Sequence, residues 1–294
     1  MKPNLFIVAF KSKASWFKSA ANPVMPDYAK HALECAHRFS GCNVIALTDL
    51  EEEGWSDIQP YCKDVHAIEK TLSEAFTQSG NDPNLEWDSI YRRPGAVFRW
   101  LVIRDYLKKH NLTGPVFNID WDVLVLSDLG EHFNKLGYGS RDYGVCYDNR
   151  SGHNISSAPY FVNQIDCIEV FSEFLIMLSK HAAPGLRHFT VGDMGLWRHL
   201  QSWGCYNVMD CGHEVDNALF DKSIALGLET YVDDGGHNKK VVPVNGELHF
   251  IRRHGGGLVK AVSLHCFCSW KTKTHQIMDA IRTKSSDHDA ISHS

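Results

Sequence analysis

Short apolar runs along the chain alternate with longer stretches in which apolar residues recur every three or four positions. Leu5–Phe10 is a continuous apolar run and predicts a first buried strand. Asp27–Phe39, just after Pro26, has helical spacing. Asn43–Leu47, bounded by Gly41 and by Thr48-Asp49, predicts a second strand, and Val65–Ile68 a third. Gly95–His110 places Val97, Trp100, Leu101 and Leu107 at helical spacing, with Arg104 and Lys108 among them. Gly114-Pro115 then punctuates, and Val116–Leu126 follows as one strongly apolar run broken only by Asn118, Asp120 and Asp122. A short helix is expected from Asp128. In the second half, Tyr143–Tyr147 and Tyr160–Val162 read as strands, and Asp166–Ser179 and Gly192–Gln201 as helices. Val241–Val244, Leu248–Arg252 and Leu258–Leu264 read as a meander with glycine-rich turns. The polar stretch after about Ser285 is expected to fray.

Strands alternating with helices at this spacing predict βαβ units and a mostly parallel sheet, hence an α/β fold. In such sheets ligands bind beyond the carboxyl ends of the strands. That gathers the Phe10–Ala20 loop, Thr48-Asp49 and Asp120–Asp122 into one candidate region.

Composition narrows the function. The chain has 294 residues, 44% hydrophobic and 22% charged, which is ordinary for a globular protein and excludes wholesale disorder. A net charge of −5 argues against a nucleic-acid partner, which calls for a basic face. No apolar stretch reaches the length of about 18 residues that reads as a membrane span, and the first apolar run is too short for a secretory signal. A cytoplasmic protein with no integral membrane segment is the expectation. The nine cysteines include no C-x-x-C pair, so they are expected to be reduced and mostly buried. A zinc site at His265, Cys266 and Cys268 is disfavoured on the same spacing. Neither G-x-G-x-x-G nor a P-loop is present, which weighs against dehydrogenases and kinases.

The most informative stretch is Pro115–Leu126. On a strand, Asp120 and Asp122 would share one face. Two unpaired carboxylates beside a core repel and are costly to bury. A divalent cation resolves both problems, because hard cations prefer carboxylate oxygens.

An Asp-x-Asp at the end of an apolar strand resembles the D-x-D motif of GT-A glycosyltransferases, glycogenin-like enzymes and their relatives among them. Near the C-terminus, Leu264-His265-Cys-Phe-Cys-Ser-Trp-Lys271 resembles the late His-x-x-Gly-x-x-Lys of the same enzymes, with Cys268 in place of the glycine. The resemblance implies a Rossmann-like, mostly parallel sheet flanked by helices, with a smaller mixed C-terminal acceptor part. It implies one domain over 1–282, with a nucleotide-binding half of about 1–130, an acceptor half of about 131–282, and a polar tail over 283–294. It implies Mn²⁺ or Mg²⁺ held by Asp120, Asp122 and His265, with Lys271 on the diphosphate of a nucleotide-sugar donor. UDP-sugars are favoured and GDP-sugars are the alternative.

Further roles follow from the same resemblance. Ala9, Phe10 and Asp49 would face the base and ribose. Arg93 and Arg99, opening the helix before the Asp-x-Asp, would face the donor, as would Ile119 and Trp121. Phe189–Trp197 is similar to the segment that carries the acceptor-side carboxylate, which makes Asp193 the candidate catalytic and acceptor residue. Tyr160 is a second acceptor candidate. Val215–Ile224 is similar to a piece found between these motifs, with no role attached. Trp16, Trp55, Trp203 and Trp270 are candidates for stacking on sugar rings.

The expected activity is transfer of a sugar to a hydroxyl of a glycan or glycoconjugate, with retention of configuration slightly favoured. The alternatives are a metal-dependent nucleotidyltransferase and a non-catalytic carbohydrate-binding protein on the same fold.

Overall fold

The computed structural model describes residues 2–9, 26–48, 58–67, 94–148, 154–155, 159–181, 193–221, 223–266 and 268–291. These fall into two compact units, each assembled from three chain segments.

The first unit comprises Met1–Val24, Asn43–Asp120 and Gly137–Cys211. Its seven-stranded sheet has the order β10-β6-β9-β4-β1-β2-β3. The strands are β1 (Asn4–Ala9), β2 (Asn43–Thr48), β3 (Asp64–Ala67), β4 (Val116–Ile119), β6 (Tyr143–Val145), β9 (Phe161–Val162) and β10 (Val208–Asp210). β1 lies parallel to β2 with Asn4 opposite Asn43, and parallel to β4 with Asn4 opposite Val116. Only β9 runs antiparallel to its neighbours β4 and β6. The largely parallel sheet expected from the alternation is therefore observed. Leu5 to Val8 and Val44 to Leu47 are all buried, which explains why these strands read as continuous apolar runs rather than alternating ones. β7 (Tyr147–Asp148) and β8 (Asn154–Ile155) pair antiparallel as a separate two-stranded sheet.

Phe6, Val8, Ile45 and Leu47 form one core with Trp100, Ile103 and Leu107 on the helix Pro94–Lys109, Phe171 on Ile165–His181, and Trp197 on Asp193–Ser202. Its centre is aromatic. The Trp100 and Trp197 rings meet edge to face at 5.1 Å, and Phe171 stacks on Trp197 at 4.6 Å. Burying a side chain such as Phe171 is worth about 1.5–3 kcal/mol. Gly144 on β6 makes room for other side chains, because a Cβ there would sit 2.1 Å from the Phe161 ring and 2.6 Å from the Cys211 sulfur.

The second unit comprises Met25–Cys42, Trp121–Leu136 and Gly212–Ser294. Its sheet joins β11 (Ala218–Phe220), β14 (Leu258–His265), β13 (Glu247–Ile251) and β12 (Val241–Val244) in that order, and β5 (Val123–Val125) also pairs with β14. β12, β13 and β14 form the expected antiparallel meander. Three helices belong to this unit: α1 (Asp27–Phe39), Leu129–Lys135 and Thr274–Ile291. The Cys35 thiol meets the Met278 sulfur at 3.3 Å, and Arg282 pairs with Glu34, tying α1 to the C-terminal helix. Asp128 caps Leu129–Lys135 by accepting the Glu131 N–H at 2.9 Å.

Two expectations are corrected. Val116–Leu126 is not one strand: β4 ends at Ile119, and β5, from Val123, pairs in a different sheet. Asp120, Trp121 and Asp122 make the turn between them, since a ladder buried on both faces does not continue through two carboxylates. The C-terminal helix runs to Ile291, through the stretch expected to fray. Its polar composition is compatible with a helix, because helix formation asks mainly for residues without strong breaking tendencies.

Candidate metal centre

β5 and β14 run antiparallel with Val123 opposite His265. At the end of this ladder the Cys266 N–H donates to the Asp122 carbonyl at 2.8 Å. The register alone therefore brings the Asp122 carboxylate to the His265 ring, with Nε2 3.3 Å from Oδ1. The other oxygen, Oδ2, holds the Lys271 ammonium at 2.8 Å. Lys271 comes from the two-turn 3₁₀ helix Cys268–Lys273 that follows β14. Burial works against charge on Asp122. The hydrogen bond and charge of His265, with the Lys271 ammonium, outweigh it and hold this carboxyl well below the usual range.

Asp120, at the carboxyl end of β4, accepts a hydrogen bond from the Arg99 guanidinium. One ligand-capable atom from each of Asp120, Asp122 and His265 lies within 4.8 Å of the others. Two carboxylates and an imidazole form a donor set suited to Mn²⁺ or Mg²⁺. The pattern also departs from the sequence-based picture. The two carboxylates converge because the chain turns, not because they alternate along a strand.

Two aromatic rings flank this cluster. Tyr28, in the first turn of α1, lies 4.8 Å below the Lys271 ammonium and meets the Trp121 ring edge-on at 6.2 Å. Burial pushes the Tyr28 hydroxyl pKa up, the Lys271 charge opposes this, and the Asp122 charge adds to it. Nothing in the sequence marks Tyr28, whose only local signal is its place at a helix start after Pro26.

The remaining candidates are placed as follows. Ala9 ends β1, and Ile119 ends β4 with its side chain buried. Phe10, Asp49 and Arg93, with Trp16 and Trp55, lie outside the described residues. Asp193 opens its helix, and its side chain is likewise outside the described set. Tyr160 is buried, and its backbone bridges two strands by donating to the Gly144 carbonyl and accepting from the Asn118 N–H. The buried Asn118 side chain, not singled out in the sequence, donates to the Pro159 carbonyl at 3.3 Å. Trp203 is half exposed and Trp270 is buried.

Burial pushes the thiols of Cys35, Cys62 and Cys167 up to about 12, and those of Cys211 and Cys266 well above the ordinary value. Protonated, enclosed thiols are inert. Among the described residues, the cluster of three or more potential metal ligands is the one at Asp120, Asp122 and His265. No described helix is long and apolar enough to cross a membrane.

A largely parallel sheet with an Asp-x-Asp at the carboxyl end of its strand β4, together with a smaller meander that supplies a histidine, matches the GT-A glycosyltransferase fold. Comparison with solved structures agrees. The galactosyltransferase LgtC, in complex with donor and acceptor sugar analogs, superposes with a TM-score of 0.51 at 13% identity, covering 95% of each chain. An active-site mutant of LgtC gives a TM-score of 0.50 at 14% identity, covering 94% of this chain and 95% of the other. A weaker similarity, with a TM-score of 0.47 at 12% identity, is to the apo form of mouse xyloside xylosyltransferase 1, covering 74% and 88% of the two chains. No family model matches the sequence, and no curated protein does either.

Proposed function

We propose that the protein transfers a sugar from a nucleoside diphosphate sugar to a hydroxyl acceptor on a glycan or glycoconjugate. The observation that carries this reading is the convergence of Asp120, Asp122 and His265 beside Lys271 on a GT-A fold.

Asp120, Asp122 and His265 would hold Mn²⁺ or Mg²⁺. The chemistry such an ion supplies when bound is neutralisation of the charge that gathers on a departing diphosphate. Lys271 adds a point charge of the same sign and is within reach of the same group through its contact with Asp122. Arg99 keeps Asp120 oriented and is assigned to the donor, since a guanidinium suits phosphate and sugar oxygens. The bond from the sugar anomeric carbon to the phosphate oxygen breaks, and its electron pair leaves with the nucleoside diphosphate. A bond forms from the acceptor oxygen to the same carbon, and the acceptor proton passes to a base. Asp193 is the residue we assign to the acceptor side. It serves as that base if configuration inverts, and as an orienting group if a substrate oxygen takes the proton with retention. Retention is the outcome we favour. Ala9, Phe10, Asp49 and Arg93 are assigned to the nucleotide, with Ile119 and Trp121 along the donor, and Tyr160 to the acceptor side. UDP is the expected nucleotide and GDP the alternative.

The test is a thermal-shift series with UDP and GDP, each with and without Mn²⁺, on the wild type and Asp122→Asn. A ligand that binds only the folded state raises apparent stability. The expected result is a Mn²⁺-dependent rise with one nucleotide that disappears in the variant. A folded wild type that responds to neither nucleotide would sink the reading.

A further inference from the structure

Beneath His265 lies an ion pair that the chemistry above does not use. Asp221 and Lys239 are 0% and 2% exposed, and their charged atoms are 2.7 Å apart. The Lys239 ammonium also donates to the carbonyls of Ser223 and Leu226, each at 2.6 Å, and lies near the Tyr231 and Phe250 rings. A fully enclosed lysine is costly, and replacing a buried pair with apolar residues is often neutral or stabilising. The arrangement calls for a reason beyond stability.

The other carboxylate oxygen of Asp221 supplies one. It accepts the backbone N–H of His265 at 3.1 Å. The carbonyl of His265 in turn accepts the N–H of Ile224 at 3.4 Å, and the Lys239 N–H donates to the Ile224 carbonyl at 2.7 Å. Both backbone groups of His265 are thus held by the segment Asp221–Ile224. Asp221 itself is fixed through its own N–H, which donates to the Ser263 hydroxyl at 2.9 Å, and by Lys239, which pins its first oxygen. The part of the chain for which the sequence offered only an unexplained resemblance, Val215–Ile224, closes around the backbone of the candidate histidine ligand.

We propose that Asp221 and Lys239 are positioning residues for His265. Lys239 locks the Asp221 carboxylate, and that carboxylate fixes the backbone from which the imidazole is presented toward Asp122. This inference rests on the metal-site reading for its consequence, but the clamp itself is a statement about His265 alone. Partners of metal ligands that orient them typically change metal affinity by about 10–100-fold when removed.

The experiment compares two charge-balanced double variants. Asp221→Leu/Lys239→Met removes the acceptor for the His265 N–H, and Asp221→Asn/Lys239→Met keeps an amide oxygen able to accept it. Mn²⁺ binding is measured by electron paramagnetic resonance of the free ion, and exchange of the His265 amide by NMR. The leucine variant is expected to bind Mn²⁺ at least about 10-fold more weakly than the wild type, with the asparagine variant recovering part of the loss and the remainder reporting the missing Lys239 lock. In a His265→Ala background the leucine and asparagine variants are expected to bind alike, since there is no imidazole left to place. The His265 amide is expected to exchange slowly in the wild type and faster in the leucine variant.

Equal Mn²⁺ binding in the two folded variants, or the same loss in the His265→Ala background, would overturn the proposal. Failure of the wild type to bind Mn²⁺ would instead remove the metal reading, and amide exchange would then judge the clamp by itself. If the leucine variant does not fold, Asp221→Ala/Lys239→Met takes its place. A wild-type His265 amide that exchanges at the rate of an exposed one defeats the clamp with no variant at all.

Discussion

Asp122 has two oxygens and a partner on each, the His265 imidazole on Oδ1 and the Lys271 ammonium on Oδ2. Replacing this carboxylate with a neutral amide keeps its size and removes the charge around which the others are arranged. Asp122→Asn is expected to lower kcat for sugar transfer by about 10²–10³, the range seen when one electrostatic contact to a developing charge is lost. Steady-state assays with a nucleotide-sugar panel would check this, and a variant within threefold of wild type would contradict the assignment. A second residue-scale prediction concerns His132, buried on its short helix, whose Nε2 has no hydrogen-bond partner among the described residues. Burial, helped by Lys135 and opposed by Glu131, pushes its pKa down to about 4. The folded protein keeps this ring neutral while the unfolded chain takes up a proton near pH 6.5. Stability is therefore fully present above about 6.5 and declines as pH falls toward about 4, by on the order of 2 kcal/mol. Urea melts from pH 7 to 4.5 should show this slope, and His132→Leu should flatten it.

At the scale of elements, the site is made by one ladder. β5 is three residues long, yet its pairing with β14 determines where Asp122 meets His265. Shifting that register by one residue would turn each side chain of β5 to the opposite face. Packing elsewhere is equally specific. Gly144→Ala would press a methyl group to within 2.1 Å of the Phe161 ring. It is expected to cost about 1–3 kcal/mol, seen as a lower urea midpoint with an unchanged slope. Strands such as β1 and β2 were legible in the sequence because burial on both faces writes a continuous apolar run. Asp120 and Asp122 were legible because carboxylates in such a run contradict their surroundings. The break between β4 and β5 was not, since residues feeding two different sheets can have the same composition. Nor were Tyr28, Asp221 and Lys239, which act through partners far along the chain. A lysine in a polar stretch, such as Lys239 between Asn238 and Lys240, reads as solvated until the fold encloses it.

At the scale of the molecule, each compact unit is stitched from three segments, so the chain leaves and re-enters each unit rather than completing one before the other. No single cut separates them. A fragment ending near residue 130 would carry β1 to β5 but lack β14, the partner of β5, and β9, the neighbour of β4. Such a fragment is expected to stay unfolded by circular dichroism and to show no cooperative melt; a two-state transition in it would contradict this. The Lys271–Asp122 contact has a further consequence for handling the whole protein. A carboxylate that already holds an ammonium does not become a naked buried charge when an ion departs. In small zinc domains the metal is part of the folding free energy, and chelation unfolds them. On the metal reading, the Lys271 ammonium would be a stand-in cation, so that loading and stripping would be an exchange of partners rather than a test of structural survival. Dialysis against EDTA is expected to leave the melting temperature within about 2 °C of its starting value, a shift that corresponds to about 1 kcal/mol for a chain of this size. The stripped protein should then refill on adding Mn²⁺ without being refolded.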